Sequence, residues 1–347
     1  RIVKGTYDKD LSSDLPYGSN AFAFNSNKTI DGSSMLCINP HQPVTGPFSL
    51  YEAHLASDEG LNVHGGMFPG SSTVLLGNNE NLGWAHTFNH LDLVDVFQLE
   101  MHPKKKNTYR FNGEWHKLEK RPVWLKVKLA KGIVFPVRRM TYWSKLGATL
   151  ESPHGNYYAV KFAANEKIRA GEQWYRMDKA RDFDEFYKAL QMESISMFNI
   201  VYADKEDNVL YLNNAVVPRR REGVDYSKVV RSNSDKTLWN DFHDVEDMVQ
   251  TKNPNCGWVF NTNNNPAHAT ARDEWQYLED WPSYYGWDDK GENNRAERFL
   301  ELMNEPASIK MSYNRMKTIK FDYEFPACGA YQNSIENLFH VNPDSYP

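Results

Sequence analysis

The residues with the clearest chemical potential lie near the start of the chain, in Pro16-Tyr17-Gly18-Ser19-Asn20-Ala21-Phe22-Ala23-Phe24-Asn25-Ser26. A tight Pro/Gly turn hands over, at one serine, to alternating small and aromatic residues. Ser19 is either an ordinary polar residue opening a strand or the residue that follows a bond built to be cut. A serine hydroxyl is a weak nucleophile at neutral pH and needs a base within hydrogen-bond reach. If Ser19 became the first residue of a processed chain, its own α-amine, with a pKa of about 7.7–8.0, would be partly neutral and could be that base. While Gly18 acylates it, that nitrogen is an amide without useful basicity, so the sequence reads as uncut around this bond.

Other polar residues say less by themselves. His41, next to Pro40, reads as a loop histidine, Asn263 as a turn residue among Asn261, Asn264 and Asn265, and Arg295 as a solvated arginine at a helix start. Asp92-Leu93-Val94-Asp95 sets two carboxylates around an intervening carbonyl. By itself that pattern reads as an exposed pair of aspartates on a strand.

The elements that must position these groups are mostly strands in the first half. Residues 20–150 are dominated by period-two patterns and turn signals, the signature of an antiparallel sheet. Ser72–Leu76, Leu82–Phe88 and Val94–Leu99 read as strands, the first two joined by a turn at Gly77-Asn78-Asn79-Glu80-Asn81. Tyr109–Phe111 and Glu114–His116 flank Asn112-Gly113, which fits both positive-φ positions of a type I′ hairpin turn. Helical patterning begins near Gln173 and continues from Asp182, an N-cap followed by Glu185 and by Phe183, Phe186, Tyr187 and Leu190 on one face. A second helix is predicted over Arg295 to Met303, capped by Asn293 or Asn294. Between the helices, Met197–Ala203 and Val209–Leu212 read as a hairpin across Asp204–Asn208. Strands and helices are largely segregated, which predicts an α+β fold.

Bulk composition narrows the partners. With 45 acidic and 40 basic residues among 347, the net charge of -5 gives no electrostatic case for nucleic acid or an anionic membrane. The Lys104-Lys105-Lys106 run reads as a solvated loop. No window approaches the length of apolar sequence a membrane-spanning helix needs. Ten tryptophans and 19 tyrosines favour aromatic-rich strands and concave apolar surfaces. Cys37, Cys256 and Cys328 are too few and too far apart for a metal knuckle or a disulfide scaffold.

A series of motifs follows Ser19 in order: Ser19-Asn20-Ala21-Phe22-Ala23, Asn39-Pro40-His41, Tyr51-Glu52-Ala53-His54-Leu55, Gly65-Gly66-Met67-Phe68-Pro69-Gly70 and Gly77 through Thr87. Gln173-Trp174-Tyr175, Tyr211-Leu212-Asn213, Val216-Val217-Pro218, Asn261-Thr262-Asn263-Asn264 and Asn294-Arg295-Ala296 continue it. Together they resemble the catalytic-chain opening of the penicillin acylase family, N-terminal nucleophile hydrolases, and within it most resemble the acyl-homoserine lactone acylases. The resemblance implies an αββα sandwich of stacked antiparallel sheets, present in part. It implies residues 1–18 as the remnant of a spacer and 19–347 as the N-terminal portion of a catalytic chain, truncated at its end. An upstream chain and a downstream part of the same precursor would then be its partners, as a heterodimer after processing.

The implied activity is hydrolysis of an acyl amide, whether an N-acyl-homoserine lactone, a penicillin-like compound or another amide, by Ser19 after autoproteolysis at Gly18-Ser19. Gly18, lacking Cβ, would let the backbone take the geometry this cut demands. The backbone N–H of Phe88 and the side-chain amide of Asn263 would receive the oxyanion. His41 would orient the amine or hydroxyl, and Arg295 would support Asn263 and the amine. Large apolar residues from the Phe24, Phe68 and Phe88 regions would line the acyl pocket. Asp92, the carbonyls of Val94 and Pro218, Asp95 and Asp273 match the structural Ca2+ stretch of the penicillin acylases proper, acids that the lactone acylases generally lack. No organic cofactor is implied, and the location would be periplasmic or secreted. A secreted, calcium-stabilised β-rich binding protein that never cleaves itself is the alternative.

Overall fold

The computed structural model describes residues 18–89, 91–277, 281–282, 285 and 292–327. Residues 1–17 of the spacer expected over 1–18, and Cys328, lie outside the described residues. In chain order the strands of the first half are β1 (Gly18–Phe24), β2 (Met35–His41), β3 (Tyr51–Ser57), β4 (Leu61–Met67), β5 (Leu76–Asn79), β6 (Leu82–Phe88), β7 (Val94–Leu99), β8 (Thr108–Phe111), β9 (Glu114–Lys117), β10 (Glu119–Ala130), β11 (Ile133–Ser144), β12 (Gly147–Glu151) and β13 (Tyr157–Phe162). There follow α1 (Ala170–Lys179), α2 (Phe183–Leu190), β14 (Phe198–Asp204), β15 (Val209–Leu212), β16 (Val230–Ser232), β17 (Gln250–Lys252), β18 (Trp258–Asn261), α3 (Asn294–Asn304) and α4 (Tyr313–Lys320).

The chain divides into two compact units, one of residues 92–166 and 217–243 and the other built from the remaining segments. The larger unit holds a three-stranded sheet, β18-β1-β2, and a seven-stranded sheet, β17-β15-β14-β6-β5-β4-β3. The alternation in β1 explains how they stack. Ala21 and Ala23 face Ala85, Val201, Ala203 and Val209 in one core, where small residues let the two sheets approach closely. Phe22 and Phe24 point the other way, into a core with Trp258, Phe260, Phe299, Leu300 and Met303. There Phe299 of α3 stacks on Phe22 and on Phe260, each at 4.5 Å between ring centres. Truncating such a ring to alanine costs about 3–5 kcal/mol. On the far face of the large sheet, Phe186 of α2 meets Trp84 and Tyr202 at 5.9 and 4.6 Å. The layers are helix, sheet, sheet, helix, the αββα sandwich that the family resemblance implies.

The helix caps are as expected: Asp182 accepts from the N–H of Glu185 at 2.8 Å, and Asn293 accepts from that of Ala296 at 3.1 Å. The Asn112-Gly113 turn has both residues at positive φ and pairs Phe111 with Glu114. The turn expected at 77–81 is a correction. Gly77, Asn78 and Asn79 belong to β5, whereas Ser72–Leu75 is not a strand. Gly77 is needed for close packing: a Cβ there would lie 2.1 Å from the carbonyl oxygen of His64. The reversal is tightened by Asn79, whose Oδ1 accepts from the N–H groups of Asn81 and Leu82 at 2.9 and 3.1 Å.

The smaller unit holds a six-stranded sheet, β10-β11-β12-β13-β7-β16, and the β8-β9 hairpin. Its β10-β11 ribbon is solvent-exposed along the whole of β10, and pairs Leu125 with Val137 and Val127 with Phe135. No helix among the described residues is long and apolar enough to cross a membrane.

Candidate active site

Five elements of the larger unit converge at the start of β1. This strand is central in its sheet, hydrogen-bonded to β2 and β18 on its two sides, so Ser19 is held between fixed neighbours and is 3% exposed. Its backbone N–H donates to Asn263 Oδ1 at 2.8 Å, and its hydroxyl donates to the carbonyl oxygen of Gly18 at 2.6 Å. Asn263 follows β18 in the left-handed region, at φ 63°, a conformation asparagine adopts more readily than most residues. Arg295, in the first turn of α3, donates from one guanidinium nitrogen to the same Asn263 Oδ1 at 2.8 Å. Its other terminal nitrogen donates to the Ser19 carbonyl at 2.9 Å and to Asn20 Oδ1 at 2.6 Å. Burial lowers the pKa of Arg295 from its ordinary value, and the guanidinium remains charged.

His41 ends β2 directly opposite Gly18. Partial burial, and then the nearby Arg295 charge, hold its imidazole below the usual value, so it is neutral at pH 7. A Cβ on Gly18 would stand 3.2 Å from Arg295 Nη2 and from Asn263 Oδ1, and 3.3 Å from His41 Nδ1. The absence of a side chain at residue 18 is what lets these three groups close on the junction. Phe88 ends β6 and lines a narrow cleft with Ser19. The Asn263 side-chain Nδ2 donates to the Phe88 carbonyl at 2.7 Å. Ser19, His41, Phe88, Asn263 and Arg295 are therefore gathered at one place from positions up to 276 residues apart.

A buried amide network beneath them carries no motif that sequence reasoning assigned a role. Asn261 Oδ1 accepts from the N–H of Asn263 at 3.0 Å, the Thr87 hydroxyl at 2.6 Å and Asn199 Nδ2 at 3.3 Å. It fixes Asn263 in its left-handed turn and ties that turn to the end of β6. The cleft beside Ser19 is walled by Leu50, Phe68, Leu75, Leu76, Phe88 and Phe198, with His86 among them. Trp174 donates to His86 Nε2 at 3.0 Å, so the proton sits on Nδ1 and is donated to the Asn199 carbonyl at 3.2 Å. Burial pushes this imidazole down to about 4, which keeps it neutral. Phe24, expected near the pocket, lies instead in the core under α3, because alternation along β1 sends it to that face.

The acids read as calcium ligands behave differently. In the smaller unit, Asp95 accepts from Arg220 Nε at 3.0 Å and from Trp239 Nε1 at 2.6 Å, and Arg220 Nη2 lies 3.0 Å from both the carbonyl and a carboxylate oxygen of Asp92. Pro218 bridges to Phe242 in that unit. Asp273 is exposed in a short turn, Arg272–Glu274, of the larger unit. Among the described residues no group of three or more His, Cys, Asp or Glu side chains is arranged to hold a metal. As they stand, Asp92 and Asp95 do not fit a calcium ion, since their oxygens already receive a guanidinium.

Sandwich and site together define an αββα fold with a buried serine at the start of a central strand. Residues 2–332 match the Penicillin amidase family, and the chain belongs to that family. It is 31% identical over 211 residues to an acyl-homoserine lactone acylase PvdQ of Pseudomonas fluorescens, covering 59% of this chain and 27% of that protein. A PvdQ of Pseudomonas syringae pv. tomato is 33% identical over 224 residues, 62% of this chain and 28% of its own length. Aculeacin-A acylase of Actinoplanes utahensis is 27% identical over 209 residues, covering 58% of this chain and 26% of itself. The matches thus span about a quarter of the length of these relatives. The thermostable penicillin G acylase of Alcaligenes faecalis shares the fold, with a TM-score of 0.71 and 21% identity over 94% of this chain and 57% of that one.

Proposed function

We propose that the protein is an acylase that hydrolyses acyl amides through Ser19 once the Gly18-Ser19 bond has been cut. The observation that carries this reading is the sharing of Asn263 Oδ1 between the Ser19 nitrogen and Arg295, at 2.8 Å each. That acceptor serves an amide N–H before scission and an amine after it. In the precursor the Ser19 oxygen attacks the Gly18 carbonyl carbon, its proton passes to a base and from there to the Ser19 nitrogen, and the C–N bond breaks to leave an ester on the Ser19 oxygen. Water then hydrolyses the ester, freeing the Gly18 carboxylate and the Ser19 amine. His41, neutral and beside Gly18, is the base available while the nitrogen is still acylated.

In turnover the free amine removes the hydroxyl proton, the oxygen attacks the substrate carbonyl, and the ammonium returns the proton to the departing amine. Water repeats the sequence on the acyl-enzyme. Asn263 Nδ2 and the Phe88 N–H receive the oxyanion, and because both are neutral they need no titration to do so. Scission would leave the preceding chain as a separate polypeptide, associated with the catalytic chain as a heterodimer. A periplasmic or secreted location follows from the same family reading and is tested by cell fractionation.

The cleft walls favour an apolar acyl group, and the names of the lactone and aculeacin-A acylases point to substrates that carry an acyl group. The cleft has only about 20 Å³ of free space, so Phe68, Phe88 and Phe198 must move to admit a chain. A panel of N-acyl amides, including acyl-homoserine lactones and phenylacetyl amides, tests the reading on the processed full-length protein. Hydrolysis of apolar acyl amides, with acetyl amides spared, is the expected outcome. A processed protein inert on the whole panel contradicts it.

A further inference from the structure

The turn that carries Asp92 and Asp95 contains a cation of its own. Asp95 lies on β7 with its side chain 0% exposed, and the Arg220 side chain is 1% exposed. The guanidinium grips the carboxylate from two nitrogens, Nε at 3.0 Å from Oδ2 and Nη2 at 3.2 Å from Oδ1. The same Nη2 lies 3.0 Å from the Asp92 carbonyl and 3.0 Å from Asp92 Oδ2. Trp239 closes the remaining approach by donating its indole N–H to Asp95 Oδ2 at 2.6 Å. The face of the Tyr226 ring lies 5.6 Å from the guanidinium carbon, and that tyrosine is anchored by its hydroxyl to the Thr237 carbonyl at 2.9 Å.

We propose that Arg220 is the permanent cation of the Asp92/Asp95 turn, occupying with its guanidinium the place a divalent ion would need, so that this unit is held without calcium. Calcium binds oxygen at about 2.3–2.6 Å and needs several such ligands around it. Here both oxygens of Asp95 and the Asp92 carbonyl already accept hydrogens from nitrogen, Asp92 Oδ2 lies 3.0 Å from the same guanidinium, and a divalent ion among them would stand against a buried positive charge. Arginine cannot escape that repulsion by losing a proton. The planar fork instead matches the carboxylate, a geometry that a point charge does not reproduce.

The test is thermal unfolding and metal analysis of the full-length protein. Wild type is expected to show the same midpoint after EGTA treatment as in millimolar calcium, and to retain no stoichiometric calcium after dialysis. Arg220→Gln is expected to lower the midpoint by many degrees, with millimolar calcium restoring part of the loss by binding the exposed acids. Should Arg220→Gln not fold, Asp92→Asn, altered on the half-exposed acid, serves as the second variant and is expected to be equally indifferent to calcium. Stoichiometric calcium in dialysed wild type, or a midpoint that falls in EGTA and recovers with calcium, overturns the proposal.

Discussion

The Ser19 cleft and the Asp92/Asp95 turn both bury polar groups, and they satisfy them in opposite ways. In the turn, a fixed guanidinium and an indole N–H meet Asp95, and none of these partners changes in any reaction. In the cleft, Asn263 Oδ1 holds Arg295 on one side and, on the other, the nitrogen of the Gly18-Ser19 bond proposed to be cut. A closed set of partners stabilises and does nothing further, whereas a set that includes the reacting bond is rearranged by the chemistry. Asp178 marks a third condition: buried on α1, it accepts one backbone N–H, from Val74 at 3.1 Å, while its Oδ1 has no hydrogen-bond partner among the described residues. Burial pushes its pKa up to about 8.

Substitutions sharpen this contrast, beginning with the largest effect. Asn263→Ala removes a donor proposed for the oxyanion, and turnover of acyl amides is expected to fall about 10²–10³-fold with the fold intact by circular dichroism. An unchanged rate would make the cleft another closed structural network. Arg220→Ala strands buried Asp95 and is expected to cost about 3–5 kcal/mol in chemical denaturation, while acylase chemistry at Ser19 retains its intrinsic rate. Loss of catalysis without loss of stability would reverse the roles given to the two regions.

Asp178→Asn keeps the acceptor for Val74 and removes a charge that has no counter-ion among the described residues. The folded pKa lies above the ordinary carboxylate value, so the penalty is absent below the unfolded pKa, grows as pH rises and is complete above about 8. The variant is therefore expected to be more stable than wild type by on the order of 2 kcal/mol at pH 8–9, with the gain vanishing near pH 4. A gain independent of pH would show that Asp178 is compensated after all. Gly18→Ala is the mildest change: a methyl 3.2–3.3 Å from three side-chain atoms must push them by a few tenths of an ångström. Scission at residue 18 is expected to slow about tenfold, followed by time-resolved gel analysis.

Much of this was legible in the sequence where local chemistry decides. The small/aromatic alternation of β1 encodes two different cores, the Asn112-Gly113 turn is fixed by φ, and Asp182 and Asn293 cap helices by short-range bonds. Gly77 was misread because glycine serves equally for a turn and for two strands in close contact, and only the partner strand tells which. α4 has a single buried side chain, Ile319, and so no apolar stripe to reveal it. The site residues came into view through ordered family motifs, since none of His41, Asn263 or Arg295 is distinctive alone. The Asn199-Asn261-Thr87 network and the Arg220 clamp join residues 62 to 174 positions apart, where nothing periodic links them.

The central claim is that the Ser19 hydroxyl opens the bond before it and that the amine so released arms it. Intact-mass analysis of the full-length protein, with sequencing of any new N-terminus, tests this most directly. The account predicts two fragments in wild type, one beginning at Ser19, and a single uncut chain in Ser19→Ala. A wild-type chain that remains whole while it hydrolyses acyl amides, or a Ser19→Ala variant cut at the same bond, would contradict it.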